Sequence, residues 1–573
     1  MPQDIGDHLA FLYGPARARA IELRLRQMLS EHQARHRPSD GARRELTHGD
    51  VLVIAYGDQV RRPGEAPLRT LGSFLEAHAG DLVNAVHLLP FFPSSSDDGF
   101  SVVDYCMVDP ELGTWEDVRS IGQRFGLMVD AVFNHVSARS HWFRRFLAGD
   151  PQYRGWFIVV DGDPDLSQVV RPRALPLLTT FETADGPRKV WTTFSADQVD
   201  LDVRNPEVLL ALIKVLLFYV AQGASLIRLD AIAYLWKEIG TPCIHLPQTH
   251  RVVQLLRSIL DEVAPYVLLV TETNVPHRDN VSYFGDGTNE AQMVYNFALP
   301  PLVLHALATG EARDLTRWAA SLEIPSGGAT FLNFLASHDG IGLTPVRGIL
   351  PDQEIDALVE RALRHGGFVS YKDDGHGSRS PYELNINYFD ALSDPAADEP
   401  LQTQVNRFLV AHAVMLSLVG VPALYLHSLL GSRGDRAGAE ASGIPRRINR
   451  QKLASEDLER ELAEPGSLRA MVVEGLSALL AKRRASAAFH PAGRQRVLDL
   501  DPRVFALLRT SPDGRQSALC LHNLSPERVT LQATGQTLED GLGVVLEPYQ
   551  ARWVIQTAGE GSEALVAQAP SET

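Results

Sequence analysis

"GLMVDAVFNH", residues 126–135, starts as a run of apolar, partly β-branched residues and closes on Asn134 and His135. A strand with one wet face alternates polar and apolar residues, so a nearly continuous apolar run is a strand covered on both faces. Its polar end marks where the chain leaves the core. Seven more runs follow this pattern: "VLVIAYGD" from 51, "NAVHLLPFF" from 84, "ASLIRLDAIAY" from 224, "YVLLVTETN" from 266, "AQMVYNFAL" from 291, "ATFLNFLASHDG" from 329 and "VPALYLH" from 421. Segments of helical period separate them, so they read as βα units. Eight such units point to the α/β class and a (β/α)8 TIM barrel.

The spacing of the runs divides the chain. Residues 1–48 read as a helical N-terminal extension. Residues 49–135, 206–344 and 411–488 carry the barrel. Residues 136–205, rich in Pro, Arg and Thr, are too many for a βα loop and form a subdomain inserted after the third strand. Residues 345–410, with "VSYKDDGHGSRSPYELNINYFDAL", form a second insertion after the seventh strand, and its Gly-rich centre reads as a mobile loop. Residues 489–573 change to short strands and turns, with "SPDG" at 511–514 as a hairpin turn, and read as a small antiparallel β domain.

A chain of 573 residues exceeds the size at which one core stops growing, in keeping with a large domain plus smaller ones. Lys and Arg number 54 against 70 Asp and Glu, a formal charge of −16 that repels nucleic-acid phosphates and anionic lipid surfaces. An anionic substrate therefore needs a local basic cluster. Cys106, Cys243 and Cys520 lie far apart in no metal-ligand spacing, which suits free thiols in a reducing compartment. The N-terminal stretch has acidic residues where a signal peptide has basic ones, so a cytoplasmic location is expected. "LVAHAVMLSLVGVPALYLHSLLG", from 409, is long enough to span a bilayer. It contains His412, Pro422 and His427, and Pro422 divides it into a buried helix and a core strand, so no membrane partner is expected.

Barrel chemistry is built at the C-terminal ends of the strands, which makes the residues closing each run informative. Asp97, Asp98 and Phe100 follow the second strand; Asn134 and His135 end the third; Arg228 and Asp230 the fourth; Glu272 the fifth; His338 and Asp339 the seventh. A lone Asp after a strand is usually a helix cap or turn residue. Capping does not explain polar ends on five strands. Asp230, Glu272 and Asp339 converge on one mouth, and two carboxyl groups flanking a bond are what glycosyl transfer requires. Proximity of like charges keeps one of them protonated, while Arg228, two residues before Asp230 on the same strand face, holds Asp230 ionised.

In this order, "DAVFNH", "IRLDA", "TETN" and "ASHDG" resemble the four signature regions of the alpha-amylase family of glycoside hydrolases and transglycosidases, over roughly residues 50 to 450. "HLLPFFPSSSDDGFSVVDY", "RPRALP", "NFALPPLVLHAL" and "SHDGIG" resemble its sucrose phosphorylase subgroup, which moves glucose between a small acceptor and inorganic phosphate. The resemblance implies Asp230 as nucleophile, Glu272 as general acid/base and Asp339 as transition-state stabiliser. It implies Asp97, Phe100, His135, Arg228, Tyr234, Asn274, His338 and Arg450 as substrate-binding residues. Asp130 and Asn134 then brace the strand end, with Asn134 also beside the sugar ring. For phosphate and acceptor it implies Arg171, Arg173, Arg379, Tyr382 and Glu383. Arg171 and Arg173 are the basic cluster that an anion needs; pairing with acidic neighbours is the alternative. The partners implied are a small-molecule glucoside and inorganic phosphate, with a second copy of the chain as a possible homodimer. This chemistry uses no metal and no organic cofactor.

Two departures bear on the substrate. Asn274 stands where sucrose phosphorylases carry a His that contacts fructose, which puts fructose in doubt. Glu383 stands where they carry Gln. A Glu facing phosphate opposes it unless protonated or turned away, and Lys372, His376 or Arg379 would then substitute. "TETNVPH" and "SPYELNINY" resemble relatives acting on glucosylglycerate, glucosylglycerol or sucrose 6-phosphate, while Pro172 between the two Arg argues against a second phosphate. The expectation is a retaining phosphorylase that takes glucosylglycerate and yields α-glucose 1-phosphate. The alternatives are the other three donors, an amylase-type hydrolase or transglucosidase, a metal-dependent barrel hydrolase using His135 and His338, and a non-catalytic barrel.

Overall fold

The computed structural model describes residues 4–36, 44–173, 175–323, 328–373, 379–531 and 544–557. The eight apolar runs form, in chain order, β1 (Leu52–Ala55), β2 (Ala85–Leu88), β3 (Gly126–Ala131), β4 (Ala224–Leu229), β5 (Leu268–Thr271), β6 (Met293–Tyr295), β7 (Thr330–Asn333) and β8 (Val421–Tyr425). They close into a barrel in the order β1-β8-β7-β6-β5-β4-β3-β2, and every neighbouring pair is parallel. Every residue of β1, β2, β5, β6, β7 and β8 is buried, which is why these runs show no alternation. The helices around the barrel follow local rules. In Pro206–Ala221, Pro206 takes the first turn, where its missing N–H is harmless, and the Asn205 carboxamide accepts the Glu207 N–H at 3.0 Å.

The stretch from 409 resolves into the end of a helix, Leu401–Ser417, and β8. The break lies at Gly420 rather than at Pro422, which sits within the strand opposite Asn333. Gly420 has φ +135°, and a Cβ there would lie 2.6 Å from Asn333 Nδ2 and 2.7 Å from the Phe331 carbonyl, so only glycine makes this turn. Among the described residues no helix is long and apolar enough to cross a membrane.

After β3, strands His135–Ser137 and Gln198–Asp200 pair antiparallel, and Leu178–Thr183 forms a hairpin with Gly186–Trp191. This insertion has a small core of its own around Trp191, Ile158, Val160 and Leu177. After β7, strands Ile341–Gly342, Arg379–Asn385 and Phe368–Asp373 form a three-stranded sheet. At the C-terminus, Arg494–Asp501, Val504–Thr510, Gln516–Asn523 and Ala551–Thr557 form an antiparallel sheet, and Gly514, with φ +73°, turns the chain between the second and third. The buried Arg509 ties this sheet to the barrel by donating to the Ser417 carbonyl at 3.1 Å, and it also donates to the His490 carbonyl at 2.8 Å.

Candidate active site

Strand register sets the site. β3 and β4 pair Asp130 with Arg228, and β4 and β5 pair Leu229 with Thr271. Asp230 and Glu272 are therefore the next residues on adjacent strands, at the same height of the barrel. The backbone carries the register past the strand ends: Asp230 N–H donates to Ala131 O at 3.2 Å and Glu272 N–H to Leu229 O at 3.1 Å. Arg228, two positions before Asp230, shares its face, because side chains repeat every two residues along a strand. Its Nη1 donates to Asp230 Oδ1 at 2.7 Å and to Asp130, while Nη2 lies 3.8 Å from Glu272 Oε2. Ala231, just beyond Asp230, adopts a left-handed conformation with φ +47°, unusual for a residue with a Cβ, and its N–H donates to Glu272 Oε2 at 3.0 Å.

A pocket at the barrel mouth is lined by Asp97, Phe100, His135, Arg173, Phe194, Gln198, Asp230, Ala231, Glu272, Asn274, His338, Asp339, Tyr382 and Arg446. The Phe100 ring stacks on His338 at 4.8 Å. Asn274 presents a buried amide oxygen with no hydrogen-bond partner, and Gly342 leaves it room: a Cβ at Gly342 would lie 2.7 Å from that oxygen. Asp97 and Asp98 both have positive φ, which turns the chain sharply after β2, and both carboxylates lie near Arg450 Nη1, at 3.6 and 2.8 Å. Asp97 lines the pocket, whereas Asp98 pairs with Arg447 and Arg450 at 2.8 Å each.

The pocket electrostatics separate the carboxyl groups. Burial raises Glu272 to about 7; the Arg228 cation opposes the rise and the Asp230 charge adds to it. Burial also raises Asp230 and outweighs Arg228, so Arg228 limits the shift but does not reverse it. Asp230 accepts a hydrogen bond from that guanidinium and Glu272 accepts only a backbone N–H, so a proton shared by the two resides on Glu272. Burial would raise Asp339 as well, but Arg446, His338 and Arg450 hold it well below the ordinary carboxylate range. Burial lowers His338 to about 3 and lowers His135, leaving both rings neutral at pH 7.

The expected site residues fall into three groups. Asp230, Glu272, Asp339, Asp97, Phe100, His135, Asn274, His338, Arg173 and Tyr382 share the pocket. Arg228, Arg450 and Asn134 lie behind it as braces. Arg450 donates to His338 O at 2.9 Å and to Asp98, and Asn134 is fixed by Lys237, whose Nζ lies 2.8 Å from its Oδ1 and 2.7 Å from Asp200. His87 joins Arg228 on Asp130, so Asp130 does brace the strand end. Tyr234 also stays outside the lining and packs edge-on against Phe194.

Arg171, Arg379 and Glu383 depart from the expectation. Arg171 turns to the Leu175 carbonyl within its own loop, because only Arg173 of the "RPR" pair projects to the mouth. Arg379 is exposed at the start of its strand, and Lys372 is half-buried on the neighbouring one; neither is among the pocket-lining residues. His376 lies outside the described residues. Glu383 does not face an anion. It is 1% exposed, accepts the Gly340 N–H at 2.6 Å and pairs with Arg446 at 2.9 Å. Arg446 is the residue that sequence reasoning missed. It lies in "RRINR", in the turn Pro445–Asn449 that follows β8 after two short helices, and its Nη1 is 2.7 Å from Asp339 Oδ1. The signal available was a basic cluster after the last barrel strand. Among the described residues no group of three or more His, Cys, Asp or Glu side chains is arranged to hold a metal ion.

Residues 81–339 match the alpha-amylase family, catalytic domain. The chain is 55% identical to a glucosylglycerate phosphorylase of Spirochaeta thermophila, over 90% of this chain and 88% of that protein. It is 52% identical to a glucosylglycerate phosphorylase of Allomeiothermus silvanus, over 96% of this chain and 98% of that protein. Among solved structures, the sucrose 6F-phosphate phosphorylase from Thermoanaerobacter thermosaccharolyticum superposes with a TM-score of 0.73 at 25% identity, covering 87% of this chain and 98% of that one. With a closed eight-stranded parallel barrel, a mouth lined by four carboxyl groups and relatives matched along nine-tenths of its length, the chain belongs to the alpha-amylase family, in the group that holds the sucrose phosphorylase-like glycoside phosphorylases.

Proposed function

We propose that the protein is a retaining glycoside phosphorylase that transfers the α-glucosyl group of glucosylglycerate to inorganic phosphate, giving α-D-glucose 1-phosphate and glycerate. The observation that carries the reaction class is one pocket lined by Asp230, Glu272 and the guanidinium of Arg173. A carboxylate nucleophile, a carboxylic acid and a fixed cation on one small pocket suit transfer of a glycosyl group to an anion. The named relatives at 52–55% identity support glycerate as the acceptor.

In the first half-reaction Asp230 attacks C1 of the glucosyl group, and the bond from C1 to the glycerate oxygen breaks. Glu272, protonated because burial lifts it to about 7, gives its proton to that oxygen. A β-glucosyl ester on Asp230 remains. In the second half-reaction an unprotonated phosphate oxygen forms the new bond to C1 and Asp230 leaves as a carboxylate. That step needs no base, and the proton carried on the hydrogen phosphate then passes to Glu272 and restores its acid form for the next donor; in the reverse direction attack by glycerate gives its hydroxyl proton to Glu272. Asp339, kept ionised by Arg446 and Arg450, faces the ring as positive charge develops on it.

The test is release of α-glucose 1-phosphate from glucosylglycerate, glucosylglycerol, sucrose and sucrose 6-phosphate, each with and without phosphate. The expected result is sugar phosphate from glucosylglycerate only when phosphate is present. Equal release of free glucose without phosphate would make the enzyme a hydrolase.

A further inference from the structure

Arg446 closes the short turn Pro445–Asn449 against the mouth, 14% exposed, and lines the same pocket as Arg173, Asp230 and Glu272. Its Nε and Nη2 donate to Glu383 Oε2 at 3.1 and 2.9 Å, and its Nη1 lies 2.7 Å from Asp339. Arg173 reaches the pocket from the first insertion, with Nη2 3.9 Å from Asp97 Oδ2. Four carboxyl groups, Asp97, Asp230, Glu272 and Asp339, line the pocket together with these two guanidinium groups. Any anion entering this pocket meets surplus negative charge unless it is seated on the cations.

The proposed reaction brings in two different anions, the carboxylate of the glycerate part and inorganic phosphate. Both occupy the leaving-group side of C1, one after the other, since each attacks or leaves the same carbon. Both are oxyanions that a guanidinium binds through paired N–H donors. Among the described residues, the lining offers no third Arg or Lys that would give each anion a cationic seat of its own.

We infer that Arg173 and Arg446 form a single anion seat that holds the glycerate carboxylate in one half-reaction and phosphate in the other, with Glu383 as the counter-charge that keeps Arg446 in place. The inference rests on the phosphorylase reading above. It makes the two acceptors alternatives for one site, and it accounts for a Glu at 383, which faces a cation and leaves the pocket to that cation's other N–H groups.

The test uses α-glucosyl fluoride, whose leaving group needs no anion seat, to load Asp230 in the full-length protein. Partition of the glucosyl-enzyme among phosphate, glycerate and water is then read from the products. These ratios do not depend on how fast the ester forms. In Arg446→Gln the phosphate-to-water and glycerate-to-water ratios are expected to fall together, by about 10- to 100-fold, as expected on losing charge-assisted hydrogen bonds. Arg173→Gln, at a less buried position, repeats the test should Arg446→Gln fail to fold. A fall in the phosphate ratio with the glycerate ratio unchanged in these variants would overturn the shared seat, as would no fall in either. Failure of the wild-type enzyme to prefer phosphate over water would instead overturn the phosphorylase reading itself.

Discussion

Nη1 of Arg228 lies 2.7 Å from Oδ1 of Asp230, and the same guanidinium also holds the fully buried Asp130. This cation is what allows two aspartates and Glu272 to share a dry barrel mouth. Arg228→Met leaves them uncompensated, so Asp230 takes up a proton and loses its nucleophilicity. Breaking one side of a buried pair destabilises the fold by about 3–5 kcal/mol, and loss of the ionised nucleophile is separately expected to lower kcat at least about 100-fold. Retention of more than a tenth of the activity in folded Arg228→Met would show that Asp230 does not depend on it.

Glu272 must be protonated to cleave the donor, and burial places it at about 7. Its protonated fraction falls as pH rises through that value. kcat/KM for glucosylglycerate is therefore expected to decline above about pH 7, and Glu272→Gln is expected to abolish this alkaline limb along with most of the activity. A limb that persists in Glu272→Gln would have another origin.

Asn274 lines the pocket and Gly342 packs directly against its amide. The Asn274 amide oxygen is buried without a hydrogen-bond partner, so added bulk beside it has little room to be absorbed. Gly342→Ala places a methyl group 2.7 Å from that oxygen and is expected to raise KM for glucosylglycerate about tenfold with a smaller change in kcat. Asn274→His is expected to raise activity on sucrose relative to glucosylglycerate. An unchanged ratio would place acceptor choice elsewhere.

Buried neutral histidines make the fold sensitive to acid. Burial lowers His338 and His427 to about 3 and His412 and His522 to about 4. Unfolding exposes them to their ordinary value near 6.5, so the unfolded chain binds more protons and stability falls as pH drops from about 6.5 toward 4. Each contributes on the order of 3 kcal/mol at full proton uptake. Thermal unfolding followed between pH 7 and 4 is expected to show a steadily falling Tm; a flat profile would contradict the burial effect.

The sequence by itself determined the barrel and its chemical edge. Eight apolar runs without alternation can bury both faces only in a covered parallel sheet, and the polar residues ending those runs have no place in the core, so they fall at the mouth. Asp230, Glu272 and Asp339 were legible for that reason. Which arginines reach the pocket was decided by tertiary structure alone. Arg171 and Arg173 are two residues apart, yet one turns to Leu175 and the other to the pocket, because a loop has no fixed period. Arg446 comes 107 positions after Asp339 and meets it only because β8 closes the barrel beside β7. Glu383, which in sequence opposes an anion, is neutralised by that same closure. Charge pairing across the mouth depends on distances that form only when the ring of strands is complete.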